Sequence, residues 1–465
     1  MTEPTTAPLP QDAIHFADAL NHGCRCQTLD PVQLRNELGR SAGLRDVATT
    51  LAQTHPHLFS NTAVFASQAT LEAVQNAVSA IERTLSLPAW TQQVLPTASP
   101  LAQIDHGPLG VFMGYDFHLT PNGPQLIEIN TNAGGAMLNA VLLRAQAVCC
   151  GLLNPALNAY RNMQALEEDF VAMFQAEWDL FNQARGEPVR PLRSLAIVDE
   201  APLSQYLAPE FALFAELFER HGIQTVVVDA ASLQLHSDGR LYSDALALDL
   251  VYNRLTDFDL SQPSHGALAQ AYAEDRVAVT PHPRAHALRA NKQHLVTLGQ
   301  VAALQALGVS AADQQTLLAT VPACERVSAD NAASLWEQRK HLFFKPLDGF
   351  GARAVYRGDK LTKKVWEQIQ QGEYIAQALV PPPVRAVRVG DAATELKFDL
   401  RAYTYAGRVQ LLAARTYSGQ TTNFRTEGGG FAPVLWVPAR SDLEKCLTLP
   451  LQCKDAAQSC TAQPN

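Results

Sequence analysis

The sequence predicts a mixed α/β protein that contains one parallel α/β unit and several antiparallel hairpins. Apolar strands alternate with an amphipathic helix between residues 192 and 254, which is typical of a parallel sheet. Apolar segments also flank the turn sequence at residues 121–124 and a second turn at residues 406–407, which indicates antiparallel hairpins. The chain has 465 residues, too many for one compact core, so two or three subdomains are expected.

The composition and charge of the chain exclude some classes of binding partner and indicate where in the cell the protein is expected. The formal net charge of -9 argues against a nucleic-acid or anionic-membrane partner. No run of about 18 uncharged apolar residues is present, because the best candidate, residues 136–153, carries Arg144 and is predicted to be a buried helix. The start, MTEPTTAPLPQDAIHF, lacks the basic and apolar blocks of a signal peptide. We therefore expect a cytoplasmic protein that does not bind membranes.

Helices dominate the first hundred residues. The clearest amphipathic helices are PVQLRNELGR and TLEAVQNAVSAIERTL. The second helix is predicted to open at Thr70, with Glu72 in its first turn, as helix capping and the macrodipole prefer.

A hairpin in GVFMGYDFHLTPNGPQLIEIN gathers polar side chains. Alternation with period two places Glu128 and Asn130 on one face of the second strand. The turn brings Asp116, on the first strand, to the same end, where two uncompensated acids are expected to repel each other. Two carboxylates and an amide oxygen are hard ligands, suited to Mg²⁺ held between protein and phosphate. The alternative is a surface hairpin with solvated acids.

The parallel unit begins at residue 192. Its predicted strands are LRSLAIVDE, QTVVVDA and ALDLVYNRL, and its helix is APEFALFAELFERHGI. Arg254 ends an apolar strand, where open α/β sheets place ligand groups. Its guanidinium could clamp a substrate carboxylate in bidentate fashion, or it could form a structural ion pair with Asp257 or Asp259.

The C-terminal part combines strands with a lysine and glycine loops. In HLFFKPLDGFGARAVY an apolar strand ends at Lys345, and the loop after it could close its backbone over phosphates. GEYIAQALVPPP is predicted to be a strand stopped by three prolines. ELKFDLRAYTYAGRVQLLAARTY predicts two antiparallel strands, and the polar loop SGQTTNFRTEGGG follows them.

The order of these features resembles the ATP-grasp fold, in which two α+β lobes hold ATP between antiparallel sheets. The resemblance rests on Lys292, Lys345 with its glycine loop, the proline-terminated strand, Asp399-x-Arg401, and Arg415 followed by Asn423 and Gly428-Gly429-Gly430. ATP-grasp enzymes usually end with the hairpin that supplies the metal ligands, whereas here that hairpin comes first. The arrangement looks like a circular permutation.

A circularly permuted order is similar to that of eukaryotic-type glutathione synthetases. The matching stretches are IEIN followed by TNAGG, LVYNR, Asn291-Lys292 and Lys345-Pro346, so the resemblance spans roughly residues 105–435. The loop TTNFRTEGGGF differs from the alanine-rich lid of glutathione synthetases and looks closer to ATP-grasp ligases that modify peptides.

The resemblance implies an ATP-dependent carboxylate–amine ligase that forms an amide through an acyl phosphate and releases ADP. It implies ATP with Mg²⁺ or Mn²⁺, a small carboxylate and an amine as substrates (an amino acid or short peptide), and a homodimer. The implied catalytic residues are Arg415, Arg401 and Asn423. The implied ATP contacts are Lys292, Lys345, Gly349, Gly351, Gln377 and, through backbone groups around the adenine, Leu379 and Val380.

The implied substrate contacts are Arg254, Asn132, Arg425 and Gly429. Glu128 and Asn130 are implied metal ligands. The third ligand is Asp348 by the glutathione synthetase pattern and Asp116 by the pattern of unpermuted ATP-grasp enzymes, and both alternatives stay open.

Five regions follow from this interpretation. They are a mainly helical region (1–104), a permuted ATP-grasp portion with the metal-binding hairpin (105–190), a Rossmann-like substrate subdomain (191–290), the ATP-grasp lobes with the nucleotide site (291–440), and a polar tail (441–465). Two rival functions are a nucleotide-binding scaffold or regulatory protein without turnover, and an ATP-grasp phosphotransferase. The retained lysines, acids and arginines argue against the first, and no segment is available for the phosphohistidine domain common in the second.

Overall fold

A computed structural model describes residues 11–40, 51, 53–146, 163–349 and 354–437. Gly351 and the tail 441–465 lie outside the described residues. Helices α1 to α14 are Gln11–Gly23, Pro31–Gly39, Gln68–Leu85, Pro88–Val94, Ala136–Arg144, Met163–Ala184, Ala208–Arg220, Gly266–Ala273, Pro283–Arg289, His294–Leu298, Val301–Ala306, Ala311–Thr320, Ala332–Gln338 and Lys363–Gln371.

In the described part of the chain, strands β1 to β18 build four sheets. Their bounds are Val64–Ser67, Met113–Thr120, Gly123–Asn130, Ser194–Asp199, Gln224–Asp229, Gln234–Leu235, Leu241–Ser243, Leu246–Ala247, Leu250–Asn253, Ala278–Thr280, Cys324–Arg326, Leu342–Pro346, Tyr356–Arg357, Tyr374–Ala378, Val384–Val389, Ala392–Tyr405, Arg408–Tyr417 and Gly430–Val437. Among the described residues, no helix is long and apolar enough to cross a bilayer.

The largest sheet has the order β1-β18-β17-β16-β2-β3, with β15 also paired to β16. Both predicted hairpins in it are confirmed, since β2 pairs with β3 and β16 with β17 in antiparallel fashion. Ala406 and Gly407 have φ of 48° and 76°, the left-handed conformation that a two-residue turn between twisted strands requires. β18 joins the edge strand β1 in parallel.

One face of the large sheet is covered by α3. Val74, Val78 and Ile81 of this helix pack with Phe117 and Leu126 of the first hairpin in one apolar core. The helix begins at Gln68, two residues before the predicted start, because the Ser67 hydroxyl accepts from the Thr70 amide and caps it. On the other face of the sheet, Tyr403, Ala413 and Phe431 belong to a second apolar core with Leu138 of α5. The ion pair of Asp116 with Arg401 lies on this face too.

The predicted parallel unit is confirmed by the sheet β10-β9-β4-β5, in which every pairing is parallel. The predicted helix of this unit is α7, which buries Phe214 and Phe218 against an aromatic cluster that includes Tyr252 of β9. The carboxyl end of β9 leads directly to Arg254, so the sheet fixes the position of that side chain.

A second four-stranded sheet, antiparallel and ordered β11-β14-β12-β13, faces the first hairpin. Phe344 and Ala376 point away from the hairpin and pack with Trp366 and Ile369 of α14. Because side chains alternate along a strand, Lys345 points to the opposite side, toward the large sheet. The candidate site lies between these two sheets.

Candidate functional site

A β-bulge shapes the polar face of the first hairpin. Asp116 pairs with Glu128 and Phe117 with Leu126, so Ile127 is the additional residue of β3. The Asn130 Nδ2 donates to Asp116 Oδ2 at 3.2 Å and to Glu128 Oε1 at 3.3 Å. The three side chains therefore lie together, as the sequence predicts.

Two arginines from neighbouring strands hold Asp116, which is only 1% exposed. Arg401 binds both of its oxygens, with Nε–Oδ1 and Nη2–Oδ2 distances of 2.7 Å. Arg415 donates to Asp116 Oδ2 at 2.8 Å and clamps Asp399 at 2.8 and 2.9 Å. Burial raises the pKa of Asp116, but the two guanidiniums outweigh it and hold that pKa well below its usual range.

This arrangement changes the expectation for Asp116. The expected repulsion between uncompensated acids is wrong, because both oxygens of Asp116 are bound by guanidiniums. A metal ion on those oxygens would also face two buried positive charges. The geometry therefore favours Asp116 as the carboxylate that orients Arg401 and Arg415. Asp348 stays a predicted third metal ligand.

Both lysines predicted to contact phosphates are buried, and their ammonium groups bind backbone carbonyls. Lys345, 5% exposed, donates from Nζ to the Ile127 carbonyl at 2.8 Å. Lys292 donates from Nζ to the Gly349 carbonyl at 2.8 Å. Burial lowers the pKa of Lys345, while the charge of Glu128 acts in the opposite direction. Lys345 thus places a desolvated cation between the two sheets, beside Glu128.

The loop after Lys345 is tied to the segment that carries Lys292. Asn291 Nδ2 donates to Asp348 Oδ1 at 3.1 Å, and the Lys292 amide donates to the Leu347 carbonyl at 3.2 Å. Burial and the charges of nearby acids raise the pKa of Asp348. Lys292, Asp348 and Gly349 therefore belong to one cluster.

Polar contacts join the segment 379–383, here called the hinge, and the end of β14 to the first hairpin. Gln377 Nε2 donates to the Leu126 carbonyl at 3.4 Å, and His118 Nδ1 lies 2.8 Å from the Val380 carbonyl oxygen. Burial lowers the pKa of His118. His118 is not among the predicted residues. It could have been found from the sequence, because it lies two residues after Asp116 on β2 and therefore on the same face of that strand.

Arg254 has a different partner from those predicted. Its Nη1 donates to the Tyr252 hydroxyl at 3.0 Å, and its Nη2 lies 3.8 Å from Glu210 Oε2. The alternative of an ion pair with Asp257 or Asp259 is wrong, because Asp257 binds His265 and Asp259 accepts from Ser99. Arg254 is 7% exposed, and its Nε has no hydrogen-bond partner among the described residues.

Glu210 connects Arg254 to the TNAGG loop. Its carboxylate accepts from the amides of Gly135, at 2.9 Å, and Met137, at 3.1 Å, at the start of α5. A Cβ on Gly134 would lie 2.6 Å from Arg254 Nη2, so a larger residue there would displace the guanidinium. Asn132 Nδ2 donates to the Leu255 carbonyl at 3.1 Å, which places Asn132 beside the residue that follows Arg254. No sequence pattern marks Glu210, because its role depends on the packing of α7 against α5.

The predicted residues of the polar loop are placed less centrally. The Asn423 side chain donates to the Ser418 carbonyl at 2.8 Å and accepts from the Arg425 amide at 2.9 Å, so it shapes its own loop. Arg425 is exposed. Gly429 is buried, and a Cβ there would lie 2.6 Å from the Thr416 carbonyl oxygen. The link from this loop to the arginines is Thr422, whose hydroxyl donates to Asp399.

Hard oxygen ligands for a divalent cation are present, although the described residues contain no group of three or more His, Cys, Asp and Glu side chains placed to hold a metal. Glu128 and Asn130 are half-buried. The Asn130 nitrogen faces the two carboxylates, which can only accept, so its oxygen is the atom left for a cation. One carboxylate and one amide oxygen fit Mg²⁺, which commonly takes its remaining ligands from phosphates and water.

Comparison with known proteins finds no matching family model and no matching curated protein. Among solved structures, a glutathione synthetase-like effector from Globodera pallida matches with a TM-score of 0.50 and 11% identity over 88% of this chain and 98% of that one. A putative gamma-glutamylcysteine synthetase from Methylobacillus flagellatus matches with a TM-score of 0.41 and 10% identity over 78% and 87% of the two chains. The ATP-grasp ligase PsnB, in complex with a minimal precursor, Mg and ADP, matches with a TM-score of 0.27 and 14% identity over 52% and 88%.

The chain has an ATP-grasp, glutathione synthetase-like fold, which confirms the predicted fold class. The likeness extends over nearly the whole of the Globodera protein. The circular permutation stays a prediction.

Proposed function

We propose that this protein is an ATP-dependent ligase that joins a carboxylate to an amine through an acyl phosphate and releases ADP. The observation that carries the proposal is the charged face between the two sheets. Two buried lysines and two anchored arginines lie there beside the half-buried pair Glu128 and Asn130. Phosphoryl transfer needs positioned positive charge more than a strong base, and this face supplies it.

Each group has a role in the proposal. Lys292 and Lys345 contact the phosphates as point charges. Arg415 and Arg401 stabilise the transferring phosphoryl group and the oxygens of the acyl phosphate, and their anchoring by Asp116 and Asp399 keeps them from reorganising. Mg²⁺ or Mn²⁺ held by Glu128 and Asn130, with Asp348, would neutralise phosphate charge.

The substrates are a small-molecule acid and an amine, an amino acid or short peptide. The acid carboxylate is proposed to bind Arg254 and Asn132, beside the TNAGG loop, with Arg425 and Gly429 of the polar loop contributing. The proposal includes the five regions of the sequence interpretation, the permuted order of the ATP-grasp elements, a cytoplasmic location and a homodimer. It includes no nucleic-acid or membrane partner.

The direct test is ADP release from purified protein given ATP, Mg²⁺ and pools of amino acids and short peptides. A ligase should release ADP only when both a carboxylate and an amine are present, and mass spectrometry of the active pool should show the amide. Binding of ATP without turnover in any pool would favour the scaffold alternative. ADP formation that needs no amine would contradict the proposal.

Lys345→Ala is expected to weaken ATP binding by about tenfold or more while the fold is kept. The side chain contributes a charge and one hydrogen bond to the Ile127 carbonyl, and little core volume. Calorimetric titration with ATP and thermal unfolding measure the two quantities. Lys363→Ala, at the exposed start of α14, is the control, and its affinity should match the unmodified protein. Unchanged affinity in folded Lys345→Ala would remove Lys345 from the site.

Arg254→Lys is expected to raise KM for the acid substrate while ATP affinity stays within about twofold. A lysine lacks the planar fork that binds a carboxylate bidentately. The change also weakens the contacts to Tyr252 and Glu210, so thermal stability must be measured beside the kinetics. An equal loss of ATP affinity and acid affinity would assign Arg254 a purely structural role.

A further inference from the structure

His118 lies where the first hairpin meets the hinge. Its Nδ1 is 2.8 Å from the Val380 carbonyl oxygen. A carbonyl oxygen can only accept, so Nδ1 carries the hydrogen in this contact. In the neutral ring the other nitrogen, Nε2, then has a lone pair and acts as an acceptor.

The surroundings of the ring leave Nε2 for a ligand. His118 shares the polar face of β2 with Asp116, and it is near enough to Lys345 and Asp399 for their charges to act on it. Gln125 is its cross-strand neighbour on β3, but the Gln125 amide nitrogen donates to the Ala319 carbonyl at 2.7 Å. Within the described part of the chain, the hydrogen bond that His118 makes is the one to Val380.

The polar groups of the hinge are partly used within the protein. The Leu379 amide has one hydrogen and donates it to the His341 carbonyl at 2.8 Å. The Val380 carbonyl already accepts from His118. A nucleoside entering between the sheets therefore finds Nε2 as an uncommitted acceptor beside the hinge, near Lys345, the proposed phosphate contact.

We infer that His118 is a nucleotide-specificity residue, whose Nε2 accepts a hydrogen bond from a donor on the nucleoside part of ATP. Two groups of ATP have this chemistry, the amino group of the base and the ribose hydroxyls. The inference rests on the proposed function, since it needs a nucleotide in this site.

The test is calorimetric titration of ATP, ITP and the 2′- and 3′-deoxy forms of ATP, with Mg²⁺, into the full chain and into His118→Asn. Asparagine keeps an N–H for the Val380 carbonyl but has no acceptor where Nε2 lies. The unmodified protein should prefer ATP by about tenfold over the analogue that lacks the relevant donor, the usual loss for one hydrogen bond to a desolvated partner. In His118→Asn this preference should fall to about twofold.

The analogues distinguish the two donors. If His118→Asn loses the preference for ATP over ITP, the base amino group is the donor to Nε2. If it loses the preference for ATP over a deoxy form, the donor is a ribose hydroxyl. His118→Leu removes both nitrogens and should give the same result, so misfolding of one variant does not prevent the test.

His221→Asn is the matched control, because the His221 Nδ1 also lies 2.8 Å from a backbone carbonyl, that of Leu217, at the exposed end of α7. The His221→Asn variant should show the same preferences among the nucleotides as the unmodified protein. Folded His118→Asn and His118→Leu with unchanged preferences would overturn the inference and leave the proposed function intact. Failure of the unmodified protein to bind any of the nucleotides would overturn both.

Discussion

Glu128→Gln should reduce ADP release by orders of magnitude while the fold is kept. Glutamine retains the shape of the side chain and can accept the hydrogen bond from Asn130, but it lacks the anionic oxygen that a hard cation prefers. We expect the ligand-free free energy of unfolding to change by no more than about 1 kcal/mol, because Glu128 is half-buried and the nearby Lys345 also binds a backbone carbonyl.

The effect of the substitution should appear when Mg·ATP is added. Stabilisation by a ligand grows with the logarithm of its concentration over Kd, about 2.7 kcal/mol at a hundredfold excess, and this gain should shrink sharply in the variant. Raised Mg²⁺, or Mn²⁺, should restore part of it. Glu395→Gln, an exposed carboxylate on β16, is the control. Full ATP-dependent stabilisation and full ADP release in Glu128→Gln would show that the first hairpin is not the metal site.

Local patterns were enough to predict the elements that carry the site. The turn residues at 121–124 and 406–407, the alternation in β2 and β3, and the strand–helix–strand order around α7 specify local conformation, and each of these elements is present. The proximity of Asp116, Glu128 and Asn130 was also predictable, because pairing across one hairpin and a period of two determine it.

Contacts between distant segments were not predictable in the same way. Strand β18 includes Pro433, which argues against a ladder position, and its parallel pairing with β1 joins segments more than 360 residues apart. Glu210 reaches the TNAGG loop only because α7 packs beside α5. The partner of Arg401 depends on the order of strands in the sheet, which places β2 beside β16 and so sets Asp116, rather than Asp399, opposite Arg401.

The Asp116→Asn substitution distinguishes between two roles for Asp116, that of a carboxylate that orients the arginines and that of a metal ligand. The neutral amide would leave the guanidiniums of Arg401 and Arg415 buried without the anion they share. Removing one member of a buried charged network typically costs about 3 kcal/mol or more, so the ligand-free protein should be clearly destabilised at pH 7, unlike Glu128→Gln. Turnover should also fall, because both arginines lose their fixed orientation. Urea unfolding without nucleotide or metal measures the first effect.

The pH dependence of Asp116→Asn gives a second, independent measurement. The pKa of Asp116 is lower in the folded chain than in the unfolded chain, where it is about 4. Its carboxylate therefore contributes stability that is fully present above about pH 4 and is lost as the pH falls toward the folded pKa, because the unfolded chain binds the proton more readily. The Asp116→Asn protein has no carboxylate to protonate at this position, so its free energy of unfolding should not show this loss. The difference in stability between the variant and the unmodified protein should therefore shrink as the pH falls below 4. The exposed Asp330→Asn should follow the unmodified protein at every pH. An Asp116→Asn protein as stable as the unmodified chain at pH 7, with lost Mg·ATP stabilisation alone, would instead return Asp116 to the set of metal ligands.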